Sequence, residues 1–269
     1  MGASVEGRSY LLVGGTSGMG LAAAEALWAQ GANVALVGRS RERAEAAADA
    51  LRAKHGVKAV TVQGDAAASQ AEANRFVGEA VAALGRVDGM AVTTGTDIEH
   101  SRKPLDTMTD GDWAADFEDL LMGTVRPCMA VIPYLVEQGS GAIVTTAAYS
   151  VHAPDRSAVP YSTFKAAVAL FTKGLARTYG SHGVQANCVC PGAVETDKLH
   201  QLRSHFAKEK GVPFEEALER VMIEDWELVI AMRRPGQPAE VGELIAFLLS
   251  QRSGYLTGAL INIDGGTNF

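Results

Sequence analysis

The sequence has little of what several common protein classes need. Its 269 residues include only 3 cysteines, 6% aromatic residues, and fewer basic than acidic groups, 24 against 31. Three cysteines are too few, and odd in number, for a disulfide framework, and the pair Cys188 and Cys190 lacks the second ligand pair of a zinc site. We therefore expect buried thiols. The net charge of −7 argues against a nucleic-acid partner, because such a surface needs clustered lysine and arginine.

Long apolar runs are also missing. A membrane-spanning helix needs about 20 apolar residues, and stretches such as residues 166–171 are far shorter. No basic segment leads into an apolar one near residue 1, so we expect a cytoplasmic protein without a membrane partner. With 47% hydrophobic and 20% charged residues, a large core is expected, and 269 residues suit a single α/β domain.

Short β-branched runs alternate with alanine-rich helical segments, which is the pattern of parallel βαβ units. Helices are predicted over residues 19–30, 41–54, 70–84, 112–137, 161–179 and 238–249. The predicted strands are residues 10–13, 33–37, 59–63, 89–93, 142–146, 184–189 and 259–263. Right-handed crossovers would place the helices on both faces of one sheet. The fold class predicted is therefore a Rossmann-type, doubly wound, parallel seven-stranded sheet in a single domain, 1–269.

One segment, residues 197–233, interrupts this alternation. It is charged and contains the apolar side chains Phe206, Phe214, Met222, Trp226 and Met232. It predicts one or two helices and no strand, inserted after the sixth strand. Ligands of open α/β sheets bind beyond the carboxyl ends of the strands, so we interpret this insert as a lid over the substrate. The alternative is a packing excursion without a role in binding.

A glycine-rich loop follows the first strand, from Gly14 through Gly18 to Gly20, and opens into a helix. Glycine lets the backbone turn sharply and approach a diphosphate, whose charge the free N–H groups of a helix N-terminus favour. The spacing alone is a weak motif, but the strand before it and the helix after it predict a dinucleotide site.

The second strand ends in Gly38-Arg39-Ser40-Arg41, without an acidic residue. An acidic side chain here would bind the ribose 2′-hydroxyl of NAD, whereas Arg39 and Arg41 can pair with the 2′-phosphate of NADP. NADP(H) is therefore favoured over NAD(H); the alternative is that both arginines are solvated. Asp65, after the third strand, is placed to accept from an adenine amino group or to cap the following helix.

Tyr161 and Lys165 form a Y-x-x-x-K pair on a predicted helix, where residues four apart share a face. A free phenol has a pKa of about 10, so acid–base work near neutral pH requires stabilisation of the phenolate. The Lys165 ammonium supplies it. Metal-ligand residue types occur at Asp197, His200 and His205, but their spacing fits no familiar site, and no metal is expected.

Together with the segment N-C-V-C-P-G-A-V-E-T over residues 187–196 and Asp264-Gly265-Gly266 near the end, the glycine loop and the Tyr161/Lys165 pair resemble the short-chain dehydrogenase/reductase family. The resemblance spans about residues 7–267. It implies a nicotinamide cofactor, a small-molecule substrate and a homotetramer, with Tyr161 as general acid/base and Lys165 holding the nicotinamide ribose. The further residues expected at the cofactor are Gly14, Thr16, Ser17, Gly18, Met19, Gly20, Arg39, Ser40, Asp65, Ala66, Thr94, Gly95, Val194 and Thr196.

The sequence departs from the family pattern at polar positions. The family places a serine thirteen residues before the tyrosine, where this chain has Ala148, and an asparagine of its proton relay where this chain has Leu120. Its N-N-A-G run after the fourth strand becomes Val92-Thr93-Thr94-Gly95. A methyl group donates no hydrogen bond, and losing such a donor typically costs about 100- to 1,000-fold in rate. Ser150 is a candidate substitute, since residues two apart on an extended segment face the same side.

The sequence thus predicts an NADP(H)-dependent oxidoreductase that interconverts a ketone and a secondary alcohol. The apolar and aromatic content of the insert suggests a fairly large apolar or cyclic substrate. Two alternatives stay open: a non-redox lyase, isomerase or cyclase using Tyr161 without the serine, and a cofactor-binding protein without turnover. Retention of Tyr161 and Lys165 argues against the last, because binding alone does not need the tyrosine.

Overall fold

The computed structural model describes residues 4–52, 58–95, 103–154, 158–225 and 227–268. Within these ranges seven strands form one sheet in the order β3-β2-β1-β4-β5-β6-β7, and each neighbouring pair is parallel. The prediction of a Rossmann-type, doubly wound, parallel seven-stranded sheet is confirmed. The strands are β1 (Ser9–Val13), β2 (Asn33–Gly38), β3 (Ala59–Gln63), β4 (Gly89–Val92), β5 (Gly141–Thr146), β6 (Val184–Pro191) and β7 (Leu260–Ile263).

Helices connect the strands and cover both faces of the sheet. Alternate side chains of β1 enter different cores: Tyr10 and Leu12 pack on one face, Leu11 and Val13 on the other. Both sets are buried, as expected for a sheet covered on both sides. The helices are α1 (Gly18–Trp28), α2 (Arg41–Arg52), α3 (Gln70–Leu84), α4 (Asp110–Asp116), α5 (Gly123–Gln138), α6 (Val159–Tyr179), α7 (Asp197–Lys210), α8 (Phe214–Glu224) and α9 (Pro238–Leu249).

The strand order positions the functional site. β1 lies between β2 and β4, so the chain passes outward through β2 and β3 and then returns to the other side of β1. The carboxyl ends of β1 and β4 therefore flank the topological switch point, where open α/β sheets bind ligands. The glycine loop follows β1 and the Val92-Thr93-Thr94-Gly95 run follows β4, so both predicted cofactor segments meet there.

The long helix predicted over residues 112–137 differs from the one observed. It begins earlier, at Asp110, because Thr109 and Asp112 form a reciprocal capping box. It is also interrupted by a π turn over Phe117–Met122, which joins α4 to α5. The predicted helix over residues 19–30 ends sooner, at Trp28, and residues 53 and 54 of the helix predicted over 41–54 lie outside the described residues.

By length and composition alone, the stretch Asp110–Gln138 is long and apolar enough to cross a membrane, and a search of the described residues finds one such helix. Half of its most apolar window is buried inside the protein. Core helices of soluble proteins pass the same test, so this is weak evidence of a membrane span.

The insert forms two helices, as the sequence allows. Phe206 of α7 packs against Ala217 and Val221 of α8, which makes the two helices a unit with an apolar core of its own. Arg203 of α7 strengthens it: its Nη1 lies 2.7 Å from Glu195 Oε1, and its guanidinium lies 4.4 Å from the ring centroid of Phe214. Trp226 lies outside the described residues.

Candidate active site

The glycine loop packs so closely against the loop after β4 that Gly20 has no room for a side chain. A Cβ on Gly20 would lie 2.3 Å from Thr93 Oγ1 and 2.4 Å from the Gly14 carbonyl oxygen. Gly14 and Gly18 have φ of +83° and +52°, in the left-handed region that favours glycine. The Ser17 side chain makes no capping hydrogen bond at the start of α1, and the loop fits the diphosphate of a dinucleotide.

A cleft with a cavity volume of about 410 Å³ extends from this loop to Tyr161. Of the predicted site residues, Ser40 and Arg41 do not line it. The residues that the cleft brings together are Gly14, Thr16, Ser17, Gly18, Met19, Gly20, Arg39, Asp65, Ala66, Thr94, Gly95, Ser150, Tyr161, Lys165, Val194 and Thr196. Their roles stay predictions, but their common location follows from the strand order.

The basic residues after β2 are divided between two surfaces. Arg39 and Arg43 line the cleft, whereas Arg41 lines a separate groove along β3 that Arg39 also borders. The Ser40 hydroxyl accepts a hydrogen bond from the Arg43 backbone N–H at 3.2 Å, as a residue at a helix start does. Sequence reasoning paired Arg39 with Arg41 and missed Arg43, which continues the same alternation of basic residues.

Asp65 lines the cleft but does not cap α3. Its Oδ1 accepts from the Ala67 N–H at 3.0 Å, whereas the N-cap of α3 is Ser69, whose hydroxyl accepts from the Glu72 N–H at 3.1 Å. The capping interpretation of Asp65 is therefore wrong, because the chain makes a turn before the helix begins.

The Tyr161 and Lys165 side chains lie side by side on α6. Lys165 Nζ is 5.8 Å from the centre of the Tyr161 ring and donates to the Thr146 carbonyl oxygen at 2.9 Å. The lysine is only 3% exposed. Burial lowers the pKa of Lys165 to about 8, and the nearby Lys198 ammonium acts in the same direction. The spacing on the helix thus places a buried cation next to the phenol.

Cys188 and Cys190, as expected, are buried free thiols. They lie on β6, and their negative potential partly opposes the lowering of the Lys165 pKa. Among the described residues, no group of three or more histidine, cysteine or acidic side chains is arranged to hold a metal ion.

Thr146 and Ser150, two residues to either side of Ala148, carry hydroxyl groups. Ser150 lies in a 3₁₀ turn over Tyr149–Val151, not on the extended segment from which its orientation was inferred. It nevertheless lines the cleft and is 2% exposed. Within the described part of the chain, Ser150 Oγ, Thr146 Oγ1 and Thr94 Oγ1 are buried without a hydrogen-bond partner. Buried hydroxyls are normally hydrogen-bonded, so these three hydroxyls beside the cleft depart from the usual pattern.

The other departures from the family pattern have structural explanations. Thr93 Oγ1 lies 3.2 Å from the Val13 carbonyl oxygen and 3.3 Å from that of Gly14, so it joins the β4 loop to the glycine loop. Leu120 lies in the π turn, is 1% exposed, and is absent from the described cleft lining. Leu120 therefore occupies a core position.

The side chains that the insert contributes to the cleft are not those that composition suggested. Phe206 is buried between the two helices of the insert, and Met222 is buried where the insert meets other segments. Phe214 contacts His200 and Arg203, and Met232 is 59% exposed. The two short helices must bury their largest apolar groups against neighbouring parts of the protein. The apolar lining from the insert comes instead from Leu199, Leu202 and Leu218. Lys198 and Asp119 also line the cleft, and no sequence motif marked them.

Comparison with known proteins agrees with this geometry. The family model described as "Enoyl-(Acyl carrier protein) reductase" matches residues 13–268. The short-chain reductase protein NovJ of Streptomyces niveus is 32% identical over 256 residues, covering 95% of this chain and 92% of NovJ. The chain therefore belongs to the short-chain dehydrogenase/reductase family, a family of oxidoreductases, as the sequence motifs predicted.

Solved structures give the same result. L-Sorbose reductase from Gluconobacter frateurii, complexed with NADPH and L-sorbose, superposes with a TM-score of 0.90 at 28% identity, covering 99% of this chain and 98% of the other. An actinorhodin polyketide ketoreductase with NADPH gives 0.87 at 29% identity, with the same coverage. Ketoreductases that bind NADPH are thus among the structural neighbours of this chain.

Proposed function

We propose that this protein is an NADP(H)-dependent oxidoreductase that interconverts a ketone and a secondary alcohol, with Tyr161 as the acid/base. The observation that carries the proposal is the buried Lys165 ammonium beside the Tyr161 ring, in the same cleft as the glycine loop. A protein that only bound a nucleotide would not need this pair. Leu199, Leu202 and Leu218 of the lid favour a fairly large apolar or cyclic substrate.

The cofactor, when bound, supplies or accepts the hydride. In ketone reduction the Tyr161 hydroxyl donates its proton to the substrate oxygen, and in alcohol oxidation its phenolate accepts that proton. Lys165 stabilises the phenolate electrostatically and is itself held by the Thr146 carbonyl. The lid helices exclude water from the reacting atoms.

We assign the preference for NADP(H) over NAD(H) to the arginines that follow β2. Arg39 and Arg43 both line the cleft, and β2 ends without an acidic residue that would bind a ribose 2′-hydroxyl. A guanidinium pairs well with a phosphate, so this end of the cleft favours NADP(H) over NAD(H). The NADPH in the L-sorbose reductase and actinorhodin ketoreductase structures supports the same choice.

Replacing Arg39 by Asp is expected to weaken NADPH binding about 100-fold while changing NADH binding about 3-fold or less, because a phosphate contact is lost and a repulsive charge is added. Dissociation constants from fluorescence titration measure both. Arg41→Asp is the matched control: it makes the same charge change in the same segment but outside the cleft. Equal losses for NADPH and NADH, or the larger loss in Arg41→Asp, would remove the 2′-phosphate assignment.

Ala148 cannot donate a hydrogen bond to the substrate oxygen. We propose that the Ser150 hydroxyl donates it instead. The support is its buried hydroxyl, which lines the cleft and has no partner within the described residues. Thr146 offers a second hydroxyl with the same property and is the natural rival.

Ser150→Ala should lower kcat about 100- to 1,000-fold, as removal of an oxyanion donor does, and leave NADPH affinity unchanged. Thr146→Val, measured beside it, removes the rival hydroxyl while keeping the side-chain shape. The assignment requires the larger loss in Ser150→Ala; the reverse order would transfer the role to Thr146.

A non-redox lyase, isomerase or cyclase is the second candidate, and Ala148 and Leu120 favour it, since carbonyl polarisation and proton relay both lose a family residue. The two candidates differ in the fate of the nicotinamide. Net redox changes its near-ultraviolet absorbance in step with product formation, whereas lyase or isomerase chemistry leaves it unchanged.

The assembly that we propose is a cytoplasmic homotetramer. Large apolar side chains are exposed on several elements: Met129 on α5, Leu170 on α6 and Phe247 on α9, with Tyr255 in the segment before β7. Exposed apolar side chains of this kind are typical of an interface between subunits. The three free thiols suit a reducing compartment.

A further inference from the structure

Arg203 of α7 contacts two separate parts of the chain. Its Nη1 lies 2.7 Å from Glu195 Oε1, in the segment between β6 and α7. Its guanidinium lies 4.4 Å from the ring centroid of Phe214, the first residue of α8, and its Nη2 lies 3.5 Å from the Glu215 carbonyl oxygen. One guanidinium therefore joins α7 both to the start of α8 and to the segment that precedes the insert.

Glu195 belongs to a segment that backbone hydrogen bonds hold in place. The Glu195 N–H donates to the Gly236 carbonyl oxygen at 2.8 Å, and the Gly236 N–H donates to the Ala193 carbonyl oxygen at 2.9 Å. Gly236 lies beyond the insert, just before α9. Glu195 therefore has an anchor that is independent of the insert, and Arg203 fastens the insert to it.

The helices that Arg203 joins also carry the apolar wall of the cleft, Leu199, Leu202 and Leu218. Leu199 is four residues before Arg203 on α7, and Leu218 is four residues after Phe214 on α8. Residues four apart share a helix face. Leu199 also packs against the apolar cluster that contains Leu218. The Arg203 contacts and the apolar wall therefore belong to the same interface between the two helices.

The ion pair with Glu195 is more buried than the pair of Lys210 with Asp225, which also joins α7 to the end of α8. The Arg203 and Glu195 side chains are 13% and 27% exposed, against 27% and 43% for Lys210 and Asp225. Breaking a buried pair leaves the remaining charge unpaired, whereas an exposed pair contributes little. Loss of Arg203 should therefore disturb the insert more than loss of Lys210.

We infer that Arg203 is a positioning residue: it holds the two helices of the insert on Glu195 and so sets the position of the leucine wall against the substrate. The inference rests on the proposed function, which assigns this wall to substrate binding. Tyr161 and Lys165 lie on another helix, α6, and Arg203 is absent from the described cleft lining. Arg203 should therefore act on substrate affinity and not on the chemical step.

The first test follows hydrogen exchange by mass spectrometry and needs no substrate. Arg203→Met removes the guanidinium but keeps a long unbranched side chain, so the amides of α7 and α8 should exchange about 10-fold faster while those of α6 exchange as in the parent. Lys210→Met is the matched control, because it breaks the contact with Asp225 and keeps the one at Glu195; it should change exchange about 3-fold or less. Unchanged exchange in Arg203→Met, or an equal increase in Lys210→Met, would overturn the inference.

The second test separates substrate affinity from turnover, with NADPH and the bicyclic ketone 2-tetralone. Arg203→Met should raise KM about 10-fold, keep kcat within about 3-fold and keep the NADPH dissociation constant within about 2-fold, since Glu195 retains its backbone anchor. Arg203→Met combined with Glu195→Gln should lose no more than Arg203→Met alone, because both substitutions break the same contact.

A fall in kcat at unchanged KM would mean a loss of folded enzyme and would overturn the inference, as would effects of the two substitutions that multiply. If the parent protein consumed no NADPH with 2-tetralone, the proposed function toward cyclic ketones would fall. The hydrogen-exchange result would still decide whether Arg203 holds the insert.

Discussion

Tyr161→Phe is expected to lower kcat about 1,000-fold and to leave the NADPH dissociation constant within about 3-fold of the parent value. The substitution removes one oxygen atom, and with it the proton that ketone reduction must deliver, whereas the ring keeps its packing beside Lys165. General acid–base groups typically contribute about 100- to 10,000-fold. Steady-state turnover and fluorescence titration on the same preparations measure the two effects.

Tyr149→Phe is the control for this result, since Tyr149 also lines the cleft and loses the same atom. It should retain turnover within about 5-fold, because one hydroxyl at the rim contributes no more than an ordinary hydrogen bond. Comparable losses in both variants would mean that the phenols act through binding or structure, and Tyr161 would no longer be the acid/base.

Lys165→Met should lower alcohol oxidation about 100- to 1,000-fold at neutral pH and move the pH profile to more alkaline values. Removing the cation removes the stabilisation of the Tyr161 phenolate, so the phenol titrates closer to its ordinary pKa of about 10. Oxidation needs the phenolate, and raising the pH should therefore restore part of the lost rate. The pH dependence of kcat separates this from a structural loss, which higher pH would not restore.

The pKa of Lys165 itself sets a second limit on the profile. Burial lowers it to about 8, so the ammonium is present below that pH and is lost above it. Lys173→Met, on the exposed side of the same helix, is the control and should leave the profile unchanged. A Lys165→Met enzyme with reduced rate but an unmoved profile would contradict the electrostatic role.

Features set by local pattern were predictable from the sequence. The alternation of Tyr10 and Leu12 with Leu11 and Val13 defines a strand buried on both faces, and a helical repeat places Lys165 beside Tyr161. The α/β class and the convergence of the glycine loop with this pair followed from such rules, because parallel strands present their carboxyl ends at one edge.

Features set by tertiary context were not predictable. The 3₁₀ turn at Ser150 breaks the two-residue alternation on which its orientation had been inferred. The π turn around Leu120 has no simple sequence signature. The composition of the insert suggested Phe206 and Met222 as substrate contacts, but both side chains are buried in apolar packing. Lys198 lines the cleft, and nearby Thr196 packs on Gly18 across a large sequence separation.

The proposed function requires the Tyr161/Lys165 cleft to move hydride between NADP(H) and a carbonyl carbon. Its most direct test follows NADPH carrying deuterium at the transferable position, with L-sorbose and a panel of cyclic and polycyclic ketones, by nicotinamide absorbance and mass spectrometry of the products. We predict loss of NADPH in step with formation of a secondary alcohol that carries deuterium on its carbinol carbon, and no such product with Tyr161→Phe. Conversion of a substrate with NADPH unchanged, or an alcohol without the label, would contradict the account.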